Sequence, residues 1–199
     1  MVFYFNGLKR TFLFFGLFLM FSSCQEELQE AKEQFFSVTT FTTTHDTTVQ
    51  LGEVSSSQLE RTLELTPIAL SVEQDPLYEE NFTSLEKLKE VTVKQVEISL
   101  TNTNRAQQYA DFSFLQEVTF YIQADGLEKI AIAKASDIVP TSTVLNLELE
   151  DEQVSYLSYF QSDNTEIVPV MVFKETVESP TDMYIKSRFV ITPDLTQVF

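Results

Sequence analysis

Proton transfer and nucleophilic attack draw on very few side chains in this sequence: one histidine, His45, one cysteine, Cys24, and thirty carboxylates. A Ser-His-Asp device needs an imidazole to take the nucleophile's proton. The only imidazole on offer sits in FTTTHDTTVQ, where the polar pair His45-Asp46 predicts a solvated turn rather than a general base. Zinc normally takes several His or Cys ligands, and the chain supplies one of each. The four glycines, Gly7, Gly16, Gly52 and Gly126, form neither a GxGxxG nor a GxxxxGK string, so the backbone cradle of a phosphate-binding loop is missing.

Carboxylates are the abundant resource. Glu148, Glu150, Asp151 and Glu152 form one cluster, and Asp75, Glu79 and Glu80 another. Paired carboxylates can run glycoside hydrolysis across a cleft, and carboxylate oxygens can hold calcium. Neither cluster has the spacing and central glycine of a calcium loop, and alternation of Glu148 with Glu150 suits the wet face of a strand. These residues give no catalytic, metal-ligating or cofactor-binding assignment; a carboxylate-dependent surface hydrolase and a calcium-stabilised adhesion domain stand as the alternatives to a binding or structural module. No cofactor is expected, and the composition points away from an enzyme.

The N-terminus carries the clearest chemistry. Lys9 and Arg10 precede an apolar run from Thr11 to Phe21, followed by Ser22, Ser23 and Cys24. A basic region, an apolar region and small residues before a cleavage point make the layout of a secretory signal. The apolar run is shorter than the ~20 residues that cross a bilayer as a helix. Immediately after Cys24 the chain turns polar and acidic, Gln25-Glu26-Glu27. The stretch Phe21-Ser22-Ser23-Cys24 resembles the lipobox of bacterial lipoproteins, with Phe21 where that family usually has an aliphatic residue. The resemblance implies cleavage ahead of Cys24, a diacylglycerol thioether on its sulfur, and a protein held at the cell envelope by that lipid. It would consume the only thiol, which closes cysteine-nucleophile chemistry. In Bacteroidetes lipoproteins a short acidic stretch after the cysteine accompanies display on the outer membrane, and Glu26-Glu27 is similar to such a signal. The resemblance covers the first 24 residues only.

Two shorter patterns lie downstream. Asp46-Thr47-Thr48 is similar to the O-glycosylation acceptor of Bacteroidetes envelopes, and Asn81-Phe82-Thr83 fits the N-glycosylation sequon. Plain turn structure accounts for the first, and a bacterial lipoprotein would not normally meet the machinery that reads the second.

Charge narrows the partners. The formal net charge is −17, and loss of Lys9 and Arg10 with residues 1–23 would carry it to −19. So acidic a chain is repelled by nucleic acid, which demands a basic patch. The expected partners are the membrane, through the Cys24 lipid, and an envelope protein or glycan.

The elements that must position these residues read as mainly β. Residues 25–34 are polar and predict a tether, and residues 35–199 a single domain. From Phe35 onward Thr, Val, Phe and Ile dominate, as a pleated half-buried surface requires. FFSVTTFTTT and TTVQLGEV are expected as two strands flanking the His45-Asp46 turn. Ile68, Leu70 and Val72 alternate as another strand. Phe82, Leu85, Leu88 and Val91 recur every three residues, which predicts a short helix over 82–91. VTVKQVEISL then alternates with a one-residue slip at Lys94-Gln95, predicting a β-bulge. FSFLQEVTFYIQ and EKIAIAKA read as a hairpin around Asp125-Gly126, and TVLNLELE as one clean strand. Val154, Leu157 and Phe160 predict a second short helix. EIVPVMVFKETV and MYIKSRFVIT close the chain, the former at an edge or bulge because Pro169 lacks an N–H. Many short strands with two helical insertions predict an antiparallel β-sandwich, immunoglobulin-like, with an open barrel as the alternative.

Overall fold

The computed structural model describes residues 40–70, 87–101, 111–139, 142–178 and 180–194. Cys24, the expected tether, the carboxylates Asp75, Glu79 and Glu80, and the Asn81 sequon lie outside them, as do residues 82–86 of the expected first helix. All the elements below belong to one compact unit of the chain, Phe41–Phe199.

Among the described residues this unit is an open sandwich of two antiparallel sheets. The strands are β1 (Phe41–Leu51), β2 (Thr62–Glu64), β3 (Ile68–Ala69), β4 (Leu88–Leu100), β5 (Leu115–Gln123), β6 (Ile130–Ala135), β7 (Val144–Asn146), β8 (Glu148–Leu149), β9 (Glu166–Phe173) and β10 (Thr181–Pro193). One sheet has the order β1-β10-β4-β7; the other runs β2-β9-β5-β6-β8, with β3 also paired to β9. Period-two burial explains the pairing. β10 alternates buried and half-buried residues along its whole length, which places Met183, Ile185, Phe189 and Ile191 against the opposite sheet. That sheet answers with Val118, Phe120 and Ile122 from β5 and Ile167, Met171 and Phe173 from β9, all in one continuous core.

The expected bulge in the middle of β4 is present. Phe189 pairs with Val93 and Arg188 with Gln95, leaving Lys94 as the extra residue. The extra residue restores the phase, so that Val91, Val93, Val96, Ile98 and Leu100 all reach the core. The same device corrects the reading of 88–91 as helix. Pro193 pairs with Leu88 and Thr192 with Glu90, so Lys89 is a second extra residue. The three-residue step from Leu88 to Val91 thus comes from a bulged strand with both side chains buried.

His45-Asp46 is no turn: β1 runs unbroken from Phe41 to Leu51, and all eleven residues pair with β10. Asp46 permits a turn but has no Gly or Pro beside it to enforce one, and the flanking β-branched threonines favour extended backbone. TVLNLELE is not one strand but two. β7 pairs with β4 in one sheet and β8 with β6 in the other, and Leu147 between them donates its N–H to the Val96 carbonyl at 2.9 Å. The segment therefore turns the corner between sheets, with Leu145 and Leu147 both buried.

The second expected helix shrinks to one turn, α1 (Leu157–Phe160). Ahead of it the Asp151 carboxylate accepts from the Gln153 N–H at 2.8 Å and Ser155 Oγ accepts from the Leu157 N–H at 3.4 Å. Such local bonds hold turns in competition with helix. β9 is an inner strand rather than an edge. Its Pro169 carbonyl accepts from the Leu65 N–H at 2.9 Å, and since N and O of one residue face the same way in an antiparallel ladder, its missing N–H faces the gap between β2 and β3. The hairpin of β5 and β6 forms as expected. Its turn is closed by a bond from the Leu127 N–H to the Ala124 carbonyl, with Gly126 at φ +74°.

Candidate functional site

At the β7–β8 corner the chain passes directly from one sheet to the other. Away from that corner β1 ends one sheet while β2 and β3 end the other, and a groove of about 730 Å³ opens between them. This lies within the range of ordinary ligand pockets. One wall is β1 from Thr44 to Gln50; the other is Thr66, Pro67, Ile68, Ala69 and Leu70; Ile167, Ile185 and Ser187 form the floor.

Of the β1 residues along the groove, His45, Thr47 and Val49 lie on the inward face, and Thr44, Asp46, Thr48 and Gln50 border it from the exposed face. Phe41, Thr43, His45, Thr47, Val49 and Leu51 share the inward face, and all are buried or half-buried. Thr43, His45 and Thr47 make the inner surface of β1 more polar than that of β10 or β4. His45 packs edge-to-face on Phe189 with centroids 6.0 Å apart, and Phe189 in turn meets Phe160 at 5.0 Å in the same T-shaped manner. The imidazole is thus a packed inward residue at the core margin, and Nε2 is shielded from solvent. The expectation of a solvated turn histidine is corrected accordingly.

Directly across the ladder from His45 stands Ser187, itself 1% exposed. A serine facing a histidine in a groove invites comparison with a catalytic pair, but the third member is misplaced. Asp46 is adjacent to His45 in the strand and so projects from the opposite face. There its carboxylate accepts a hydrogen bond from the Tyr184 hydroxyl. That bond, with a smaller effect of burial, raises the Tyr184 hydroxyl above its ordinary value. The carboxylate that would orient an imidazole is committed to the outer surface.

The Asp46-Thr47-Thr48 pattern falls inside β1, with Thr47 half-buried on the inward face and Thr48 exposed. A strand paired at every residue presents Thr47 poorly to a glycosyltransferase, and the plain turn expected there is absent.

The carboxylates of the other expected cluster lie at and beyond the β7–β8 corner. Glu148, Glu150, Asp151 and Glu152 are exposed. Glu150 pairs with Lys134 at 2.9 Å, and hydrogen bonding and charge from Glu150 raise the Lys134 ammonium above its ordinary value. Among the described residues no group of three or more His, Cys, Asp or Glu side chains is placed to hold a metal ion.

Sequence reasoning missed the groove. Burial alternates along β1 from Phe41 to Leu51, but threonines fall on both faces, so in the sequence only Phe41, Val49 and Leu51 mark the inward side. The opposite wall depends on where the chain places β3, and no local pattern in Thr66–Leu70 announces that.

No family model and no curated protein matches the chain. Among solved structures it is similar to one titled Desmodium yellow mottle tymovirus, at 7% identity over 77% of this chain and 87% of that one, with a TM-score of 0.28. A likeness at that score carries no argument about function.

Proposed function

We propose that the protein is a lipid-anchored lipoprotein of the bacterial cell envelope that acts by binding a protein or glycan partner. The observation that carries the reading is the position of Cys24, the only cysteine, where an apolar run behind Lys9 and Arg10 gives way to Gln25-Glu26-Glu27. A thioether there would account both for the cysteine and for the abrupt change in polarity. Two acyl chains anchor stably where one gives only marginal, reversible binding, so a diacylglycerol suffices without a membrane-spanning helix. The outer membrane is the expected address.

Binding is favoured over catalysis by the chemistry of the groove. Its lining joins threonine hydroxyls and aliphatic surface to the facing pair His45 and Ser187, while the neighbouring carboxylate Asp46 is engaged by Tyr184 on the outer face and does not orient the imidazole. Such a lining can position hydrogen bonds to a polar ligand or to an extended peptide.

Metabolic labelling with an alkyne fatty acid in a bacterial host tests the anchor, comparing the native chain with Cys24→Ser. Label on the native protein and none on the variant is the expected result. Equal labelling of the two, or none on either, would overturn the lipid anchor. For the binding half, pull-down with the native chain is compared with Thr47→Arg, which places a bulky charge in the groove. A partner recovered by the native chain and lost by the variant supports the reading; recovery of no envelope protein or glycan by either counts against it.

A further inference from the structure

We draw no further inference here: the strongest candidate, the groove between β1 and β3 with the facing pair His45 and Ser187, belongs to the site already described, and nothing among the described residues shows what covers it.

Discussion

At the scale of single residues, aromatic packing and tyrosine ionisation lend themselves to direct test. Phe189 is fully buried and contacts both Phe160 and His45 through T-shaped geometry. Truncation to alanine leaves a cavity as well as losing apolar burial, a combination that costs about 3–5 kcal/mol for phenylalanine. Urea unfolding of Phe189→Ala should show a loss of that order, and a loss below about 1 kcal/mol would mean that the ring is not part of the packed core. Three tyrosines set a pH limit. Burial raises Tyr156 and Tyr159, and the hydrogen bond to Asp46 raises Tyr184. A group whose folded-state pKa lies above its unfolded value holds extra proton in the folded state, so stability falls as pH rises through the interval between them. The contribution is therefore complete below the ordinary tyrosine value of 10.0 and is lost above it. Melting temperature followed into the alkaline range should drop from about pH 10 together with the rise of phenolate absorbance. Tyr184→Phe should abolish only its own share, and a melting temperature flat across that range would refute the assignment.

At the scale of elements, the bulges make sharp predictions because side-chain direction in a strand has a period of two. Deleting Lys94 removes the extra residue opposite the Phe189–Arg188 step and leaves Val93 and Val96 separated by the single outward residue Gln95. The inward phase survives, so the variant should fold with a melting temperature near that of the native chain. Deleting Glu97 instead brings Ile98 next to Val96 and sends Ile98 and Leu100 to the wrong face. Circular dichroism and thermal melting of the two deletions should separate them clearly, and equal tolerance of both would show that β4 register is not set by its buried face. The helical reading of 88–91 failed at this same scale: a spacing of three is ambiguous between a helix and a bulged strand, and only the partner strand distinguishes them. In TVLNLELE the alternation was legible while the change of sheet was not. Leu145, on β7, and Leu147, which precedes β8, face the same core from either side of a corner, so the pattern does not change where the partner does.

At the scale of the whole molecule, net charge is the dominant property. A formal charge of −17 is offset only locally by ion pairs such as Lys129–Glu64 and Lys134–Glu150, both partly solvent-exposed and each worth little. Self-repulsion of this kind opposes compaction, and its range shrinks from about 30 Å at 0.01 M salt to about 8 Å at 0.15 M. Sodium chloride added over that interval should raise the melting temperature, and a fall would indicate that attractive pairs outweigh the net repulsion. The same charge underlies the expectation that nucleic acid is not a partner.

The sequence by itself determined the β class and most strand positions, because alternation of apolar and polar side chains reports a half-buried pleated surface directly. It also determined the Lys94 bulge, since a strand that must keep one face buried absorbs a one-residue phase slip by bulging out the extra residue. Tertiary structure alone decided which strands are neighbours, that β1 passes straight through His45-Asp46, and that β1 and β3 end separate sheets. Those outcomes rest on pairings between residues far apart in the chain, such as His45 with Ser187. A local pattern can state which face of a strand is buried, but not what is buried against it.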